Sequence, residues 1–207
     1  MTIEATSLAI AIGLCILLPV MGYIKIGLPP VVIIGGSALV ALFFWHKTYL
    51  YHPTNPDTIV PLFALTVAGL QAHIVEEYLS GFGPAMSRTF GIHWSEKSFL
   101  LIFALVGPLI YTLTILGLQH KIPLAGFVAW FIFIGPGVAE FTHFIFPFKR
   151  PEIEPDNPAP VSTKVRGGVI ENMPNYYIKT SGRYYYSGML TAVLPMIPGI
   201  YAIIKLG

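Results

Sequence analysis

Two short runs hold most of the chemistry this chain can offer: His73-Ile74-Val75-Glu76-Glu77 and Glu140-Phe141-Thr142-His143. On a helix, side chains three and four apart share a face, so His73 projects with Glu76 and Glu77, and Glu140 projects with His143. Imidazole and carboxylate donors suit iron, manganese or zinc. The Glu-x-x-His spacing is the one that two-metal helical bundles use, where two such pairs and two further glutamates surround the ions. Here one pair reads His-x-x-Glu, the other reads Glu-x-x-His, and Glu77 adds a carboxylate, which leaves one ligand of that set missing. His93, Glu96 and Glu171 are candidates to supply it. The expected metal ligands are therefore His73, Glu76, Glu77, Glu140 and His143, around one or two ions, with iron first and zinc or manganese as alternatives. Glu77 also stands where the His-x-x-Glu-His arrangement of inverted zinc proteases needs its second histidine, which argues against a protease. No Ser-His-Asp constellation is legible.

These groups must be positioned by membrane helices. Only 11% of the 207 residues are charged, against about a quarter in soluble domains, and the mean hydropathy is +0.71. Six apolar stretches approach the roughly 20 residues needed to cross the hydrocarbon. They run from about Ser7 to Tyr23, Pro30 to Trp45, Thr58 to Leu79, Ser98 to Leu118, Ile122 to Phe146 and Tyr184 to Ile204. None shows the alternation of a barrel strand, so the fold class is all-α: a single transmembrane bundle of about six helices spanning residues 1–207. Pro19, Gly107-Pro108, Gly135-Pro136-Gly137, Pro195 and Pro198 interrupt these spans. In lipid, such breaks survive where neighbouring helices or a cavity satisfy the freed carbonyls.

Basic residues orient the bundle. Lys25, then Arg88 and Lys97, then Lys149, Arg150, Lys164, Arg166, Lys179 and Arg183 lie on one side, against Lys47, Lys121 and Lys205 on the other. The positive-inside rule places both termini outside and the polar, proline-rich segment 147–183 in the cytoplasm, where it is long enough to form a lid. The third and fifth spans are then parallel, and their acidic clusters meet near the cytoplasmic face. His46, His52 and His120 fall at the opposite face. Converging carboxylates repel one another unless a cation sits between them. A plainer reading is an interfacial ion network, in which Arg88, Lys149 and Arg150 offset the acids. It must accept glutamates at helix C-termini, where the macrodipole disfavours them.

A net charge of +2, from 12 basic and 10 acidic residues, gives no nucleic-acid surface, and the lone Cys15 excludes a disulfide framework. The expected partners are the bilayer and a hydrophobic small molecule. Phe82, Phe141, Phe144 and Phe146 are expected to line its pocket, Arg183 to anchor the last helix or an anionic head group, and Tyr186 to donate a hydrogen bond beside Glu76 and Glu77 as catalytic groups. The tyrosines at Tyr176, Tyr177, Tyr184 and Tyr185 read as an interfacial belt.

The His73–Glu77 run in a small multi-pass chain resembles the HXXEE family of bacterial membrane proteins, named for that motif. The Glu140/His143 block and the Tyr186-Ser187-Gly188 start of the last span match more loosely. The likeness covers most of the chain in layout but is specific only at the motif. It implies that His73, Glu76 and Glu77 matter and that the home is a bacterial inner membrane; the family carries no assigned reaction. The expected function is an iron-dependent, oxygen-activating membrane enzyme performing hydroxylation, desaturation or oxidative cleavage on a lipid-like or isoprenoid substrate. A metal-free acid–base isomerase or cyclase and a proton-coupled transporter are the alternatives.

Overall fold

The computed structural model describes residues 2–80, 82–83, 96–145, 151–153, 161–165, 168–173, 176–178 and 188–207. Helix α1 (Ile3–Ile26) starts where the Thr2 hydroxyl accepts the Ala5 N–H. A π-helical turn, Val31–Gly35, follows Pro29-Pro30 and leads into α2 (Gly36–Thr48). Asn55 caps α3 (Pro56–Leu79), with Pro56 in the first turn, where its missing N–H costs nothing. The fourth span begins as α4 (Glu96–Leu100), widens into a π-helical stretch at Leu101–Val106 and continues as α5 (Gly107–Gln119). Pro108 accounts for that widening, because its ring clashes with the preceding turn and it has no N–H to close an α-helical bond. The fifth span is α6 (Pro123–Val138), a 3-10 turn at Ala139–Phe141, and α7 (Thr142–Ile145).

Among the described residues, five helical stretches are long and apolar enough to cross a membrane: Ile3–Ile24, Val31–Thr48, Pro56–Leu79, Lys97–Gln119 and Pro123–Phe144. The bundle is all-α. Its outer surface carries Ile16 and Leu113 at 62% and 68% exposure, as lipid-facing side chains should be.

The last span differs from expectation. In place of a full-length helix from Tyr184, the chain forms turns over Gly188–Ala192 and then the 14-residue helix α8 (Val193–Leu206). At 1.5 Å per residue α8 is about 21 Å long, short of the roughly 30 Å hydrocarbon. Irregular backbone at that depth is tolerated only when packed in protein or lining a cavity, and Gly188 and Ala192 are both buried.

Glycines let α8 sink between α3 and α6. A Cβ on Gly69 would lie 2.5 Å from the Leu194 carbonyl carbon, and one on Gly199 would lie 2.6 Å from Gly137 Cα. Such backbone-to-backbone approach is how membrane helices gain packing without a hydrophobic drive. At the other end of the bundle, Trp45 Nε1 donates to the Pro123 carbonyl at 2.7 Å, beside the buried rings of Phe63, Trp130 and Phe133. The polar segment, expected as a loop, contains two short antiparallel ribbons. β1 (Pro151–Ile153) pairs with β4 (Tyr176–Ile178), and β2 (Val161–Val165) pairs with β3 (Gly168–Met173). Val161, Thr163, Val165, Val169 and Ile170 supply the β-branched residues that strands prefer.

Candidate metal centre

Helix periodicity brings His73 and Glu77 onto one face of α3, one turn apart, and the 3-10 turn after α6 does the same for Glu140 and His143. With three residues per turn, side chains three apart eclipse, so Glu140 Oε2 and His143 Nε2 come within 3.1 Å. The two faces meet. His73 Nε2 is 3.1 Å from Glu140 Oε2 and 3.6 Å from Glu77 Oε1, and His143 Nε2 is 3.4 Å from Glu77 Oε1. The imidazoles cross edge to face with centroids 4.8 Å apart. His73 is 1% exposed, Glu77 and His143 7% each.

Two features separate this cluster from a set of ordinary ion pairs. Both imidazole Nε2 atoms face the same two carboxylates, and His73, Glu77 and His143 offer ligand atoms that all lie within 4.8 Å of one another. Ligands bound tetrahedrally at about 2.0–2.1 Å stand about 3.3–3.4 Å from one another, and cis ligands of an octahedron at about 2.1 Å stand about 3.0 Å apart. The four measured edges, 3.1 to 3.6 Å, fall around those values. Second, His73 Nε2 is buried with no hydrogen-bond partner among the described residues, despite the nearby carboxylate oxygens. A buried nitrogen left unpaired costs about 1–3 kcal/mol. His73, Glu77 and His143 by themselves form a buried group able to hold a metal ion, and Glu140 Oε2 lies 3.1 Å from both imidazole nitrogens.

No family model, curated protein or solved structure matches the chain. The chemistry of the cluster has to be read from its own geometry.

Glu76, expected among the ligands, is engaged elsewhere. Its Oε2 accepts the Thr191 backbone N–H at 3.0 Å and also the Thr191 hydroxyl. That hydroxyl oxygen in turn lies 3.2 Å from His73 Nδ1. Glu76 thus sits where the N-terminal end of α8 begins, and the positive end of one helix offsets its unfavourable place in the last turn of another. Gly188 packs directly on the cluster: a Cβ there would lie 2.5 Å from His73 Cε1 and 2.9 Å from His143 Cε1, and its φ of +75° favours glycine independently.

Of the other expected residues, Phe141 and Phe144 are each 44% exposed on the outside of the bundle and do not line the cluster. One and two positions from buried His143, they turn outward with the helix. Phe82 is the aromatic residue that meets the cluster, its ring 5.5 Å from that of His143. Arg183, Tyr186, His93 and Phe146 lie outside the described residues, as do the side chains of Glu96 and Glu171. Thr191 is the residue that sequence reasoning missed. Its signal was a hydroxyl inside an apolar run, four positions before Pro195.

Proposed function

We propose that the chain is a metal-dependent integral membrane enzyme acting on a hydrophobic substrate, with one ion held by His73, Glu77, Glu140 and His143. The observation that carries this reading is the buried group of His73, Glu77 and His143, whose ligand atoms lie within 4.8 Å of one another, with Glu140 Oε2 3.1 Å from both imidazoles. One ion is favoured over two because Glu76 is bonded to Thr191, which leaves too few carboxylates for the two-metal set. Two histidines with a carboxylate suit iron(II), the leading choice; zinc and manganese are the alternatives. A bound iron would supply oxygen activation for hydroxylation, desaturation or oxidative cleavage of a lipid-like or isoprenoid chain.

The chain's own residues have narrower tasks. The four ligands hold the ion within lipid-embedded walls, Phe82 offers an apolar surface beside His143, and Gly188 leaves room for both rings. The excess of basic residues in the odd loops supports a centre near the cytoplasmic face with the termini outside, and a bacterial inner membrane is the proposed home. Arg183 and Tyr186 are proposed to border it, one on a polar head group and the other as a hydrogen-bond donor.

A second reading, metal-free acid–base catalysis on an isoprenoid, draws on the 3.1 Å contacts of Glu140 with both imidazoles. Metal analysis separates the two. Detergent-purified protein loaded with iron(II), zinc(II) or manganese(II) should retain about one equivalent and lose it in His73→Ala and His143→Ala. Folded wild-type protein retaining none of the three would overturn the metal reading. Iron-dependent uptake of isotope-labelled dioxygen into membrane lipids would identify the reaction class.

A further inference from the structure

The contacts around Thr191 carry a conclusion about which nitrogen of His73 holds its proton. Glu76 Oε2 receives two donors from one residue, the Thr191 N–H and O–H, at the start of α8. Both donate to the same carboxylate oxygen. The single hydroxyl proton of Thr191 is therefore committed to Glu76. Its oxygen, 3.2 Å from His73 Nδ1, is left to act as acceptor, so Nδ1 must be the nitrogen that carries hydrogen. In the neutral ring, Nε2 then presents a bare lone pair toward the carboxylate oxygens of Glu140 and Glu77, 3.1 and 3.6 Å away.

We propose that Glu76 and Thr191 are positioning residues that fix His73 as the Nδ1–H tautomer and aim its Nε2 lone pair into the cluster. Metal-binding histidines generally need such a partner on the other ring nitrogen, and its loss weakens metal affinity by roughly 10–100-fold. The pair also ties the last helix to the centre, because Thr191 belongs to the turn that precedes α8. Glu76 thus acts through Thr191 and not as a ligand. The proposal rests on the metal reading for its purpose, though not for its measurement.

The test uses full-length protein, freed of metal and labelled with nitrogen-15 at histidine. The His73 signals are assigned by their loss in His73→Ala. Wild-type protein should show His73 protonated at Nδ1 and bare at Nε2. Thr191→Val should lose that preference, and Thr191→Ser should restore it. In parallel, zinc(II) titration should give roughly 10–100-fold weaker binding for Thr191→Val and near wild-type binding for Thr191→Ser. A wild-type His73 protonated at Nε2 overturns the inference even if neither Thr191 variant folds. So does a Thr191→Val protein with unchanged tautomer and unchanged zinc affinity. If the tautomer follows the hydroxyl as stated and no form binds zinc, iron or manganese, the positioning pair stands and the metal reading falls.

Discussion

Placing one methyl group at Gly188 should disturb the centre without removing any ligand. In Gly188→Ala the new Cβ meets His73 Cε1 at 2.5 Å, His143 Cε1 at 2.9 Å and His143 Nδ1 at 3.1 Å, and the backbone must hold φ at +75°. The left-handed backbone costs an alanine about 1–2 kcal/mol, and overfilling a packed site typically costs about 1–3 kcal/mol. The total is about 2–5 kcal/mol. The two outcomes of that strain are measurable. If the rings yield, the ligand geometry spreads and metal affinity falls, by up to the same free energy, or about 30-fold at the low end. If they hold, the cost appears as a lower unfolding temperature of the metal-free protein in detergent. Gly13→Ala is the control, because a Cβ there meets nothing within 4 Å, and it should leave both quantities unchanged or slightly improved. A Gly188→Ala protein with wild-type melting temperature and wild-type metal affinity would refute the packing of Gly188 on the two imidazoles.

Gly69→Ala should act from further away, since its Cβ would lie 2.5–2.7 Å from the backbone of Leu194 and Pro195; lifting α8 should cost about 1–3 kcal/mol and weaken metal binding, both read by thermal melts with and without zinc(II). Trp45→Phe leaves the Pro123 carbonyl without its donor and should cost about 0.5–1.5 kcal/mol with metal uptake unchanged, because Pro123 and Glu140 are about 25 Å apart along the fifth span. Saturating metal should stabilise the wild type by about 4 kcal/mol at a thousand times its Kd, measured as a rise in melting temperature; Glu140→Gln should lose most of that rise, and an equal rise in both would remove Glu140 from the ligand set.

Much of this architecture was legible because lipid imposes a simple rule. Long apolar runs must become helices, and helical spacing then decides which side chains share a face. His73 with Glu77, and Glu140 with His143, follow from that rule, and parity of the spans puts both pairs at one end. The 3-10 turn that sharpens the second pair was less accessible, since Gly135-Pro136-Gly137 marks a break without saying how the chain resumes. The short final helix was misread for a related reason. Apolar character continues from Tyr184 to Ile204, so hydropathy sees one span; Pro195 gives the better cue, because proline belongs in a helix's first turn and here sits two residues after Val193. Glu76 illustrates a deeper limit. It shares the face of His73, and only the arrival of α8 from more than a hundred residues away turns it toward Thr191. Phe141 and Phe144 lie beside His143 in sequence, which says little about which way a ring points.

The charges around the cluster show why its parts belong together. Glu77 sits in the last turn of α3, and Glu140 and His143 lie near the end of the fifth span. Each helix C-terminus adds roughly half a negative charge, so two such ends, the buried Glu77 and the partly buried Glu140 converge on one place. The N-terminal end of α8 approaches the cluster and is committed to Glu76 through Thr191. Among the described residues, the ion pairs of Glu77 and Glu140 are all with the two imidazoles. Uncompensated buried charge costs several kcal/mol per ion, so positive charge has to enter this site. Protons on the imidazoles are one source, and a bound cation is the other. Under the proposed metal reading a cation among these donors would balance Glu77 and Glu140 and give Nε2 of His73 a partner, which metal analysis of the purified protein tests.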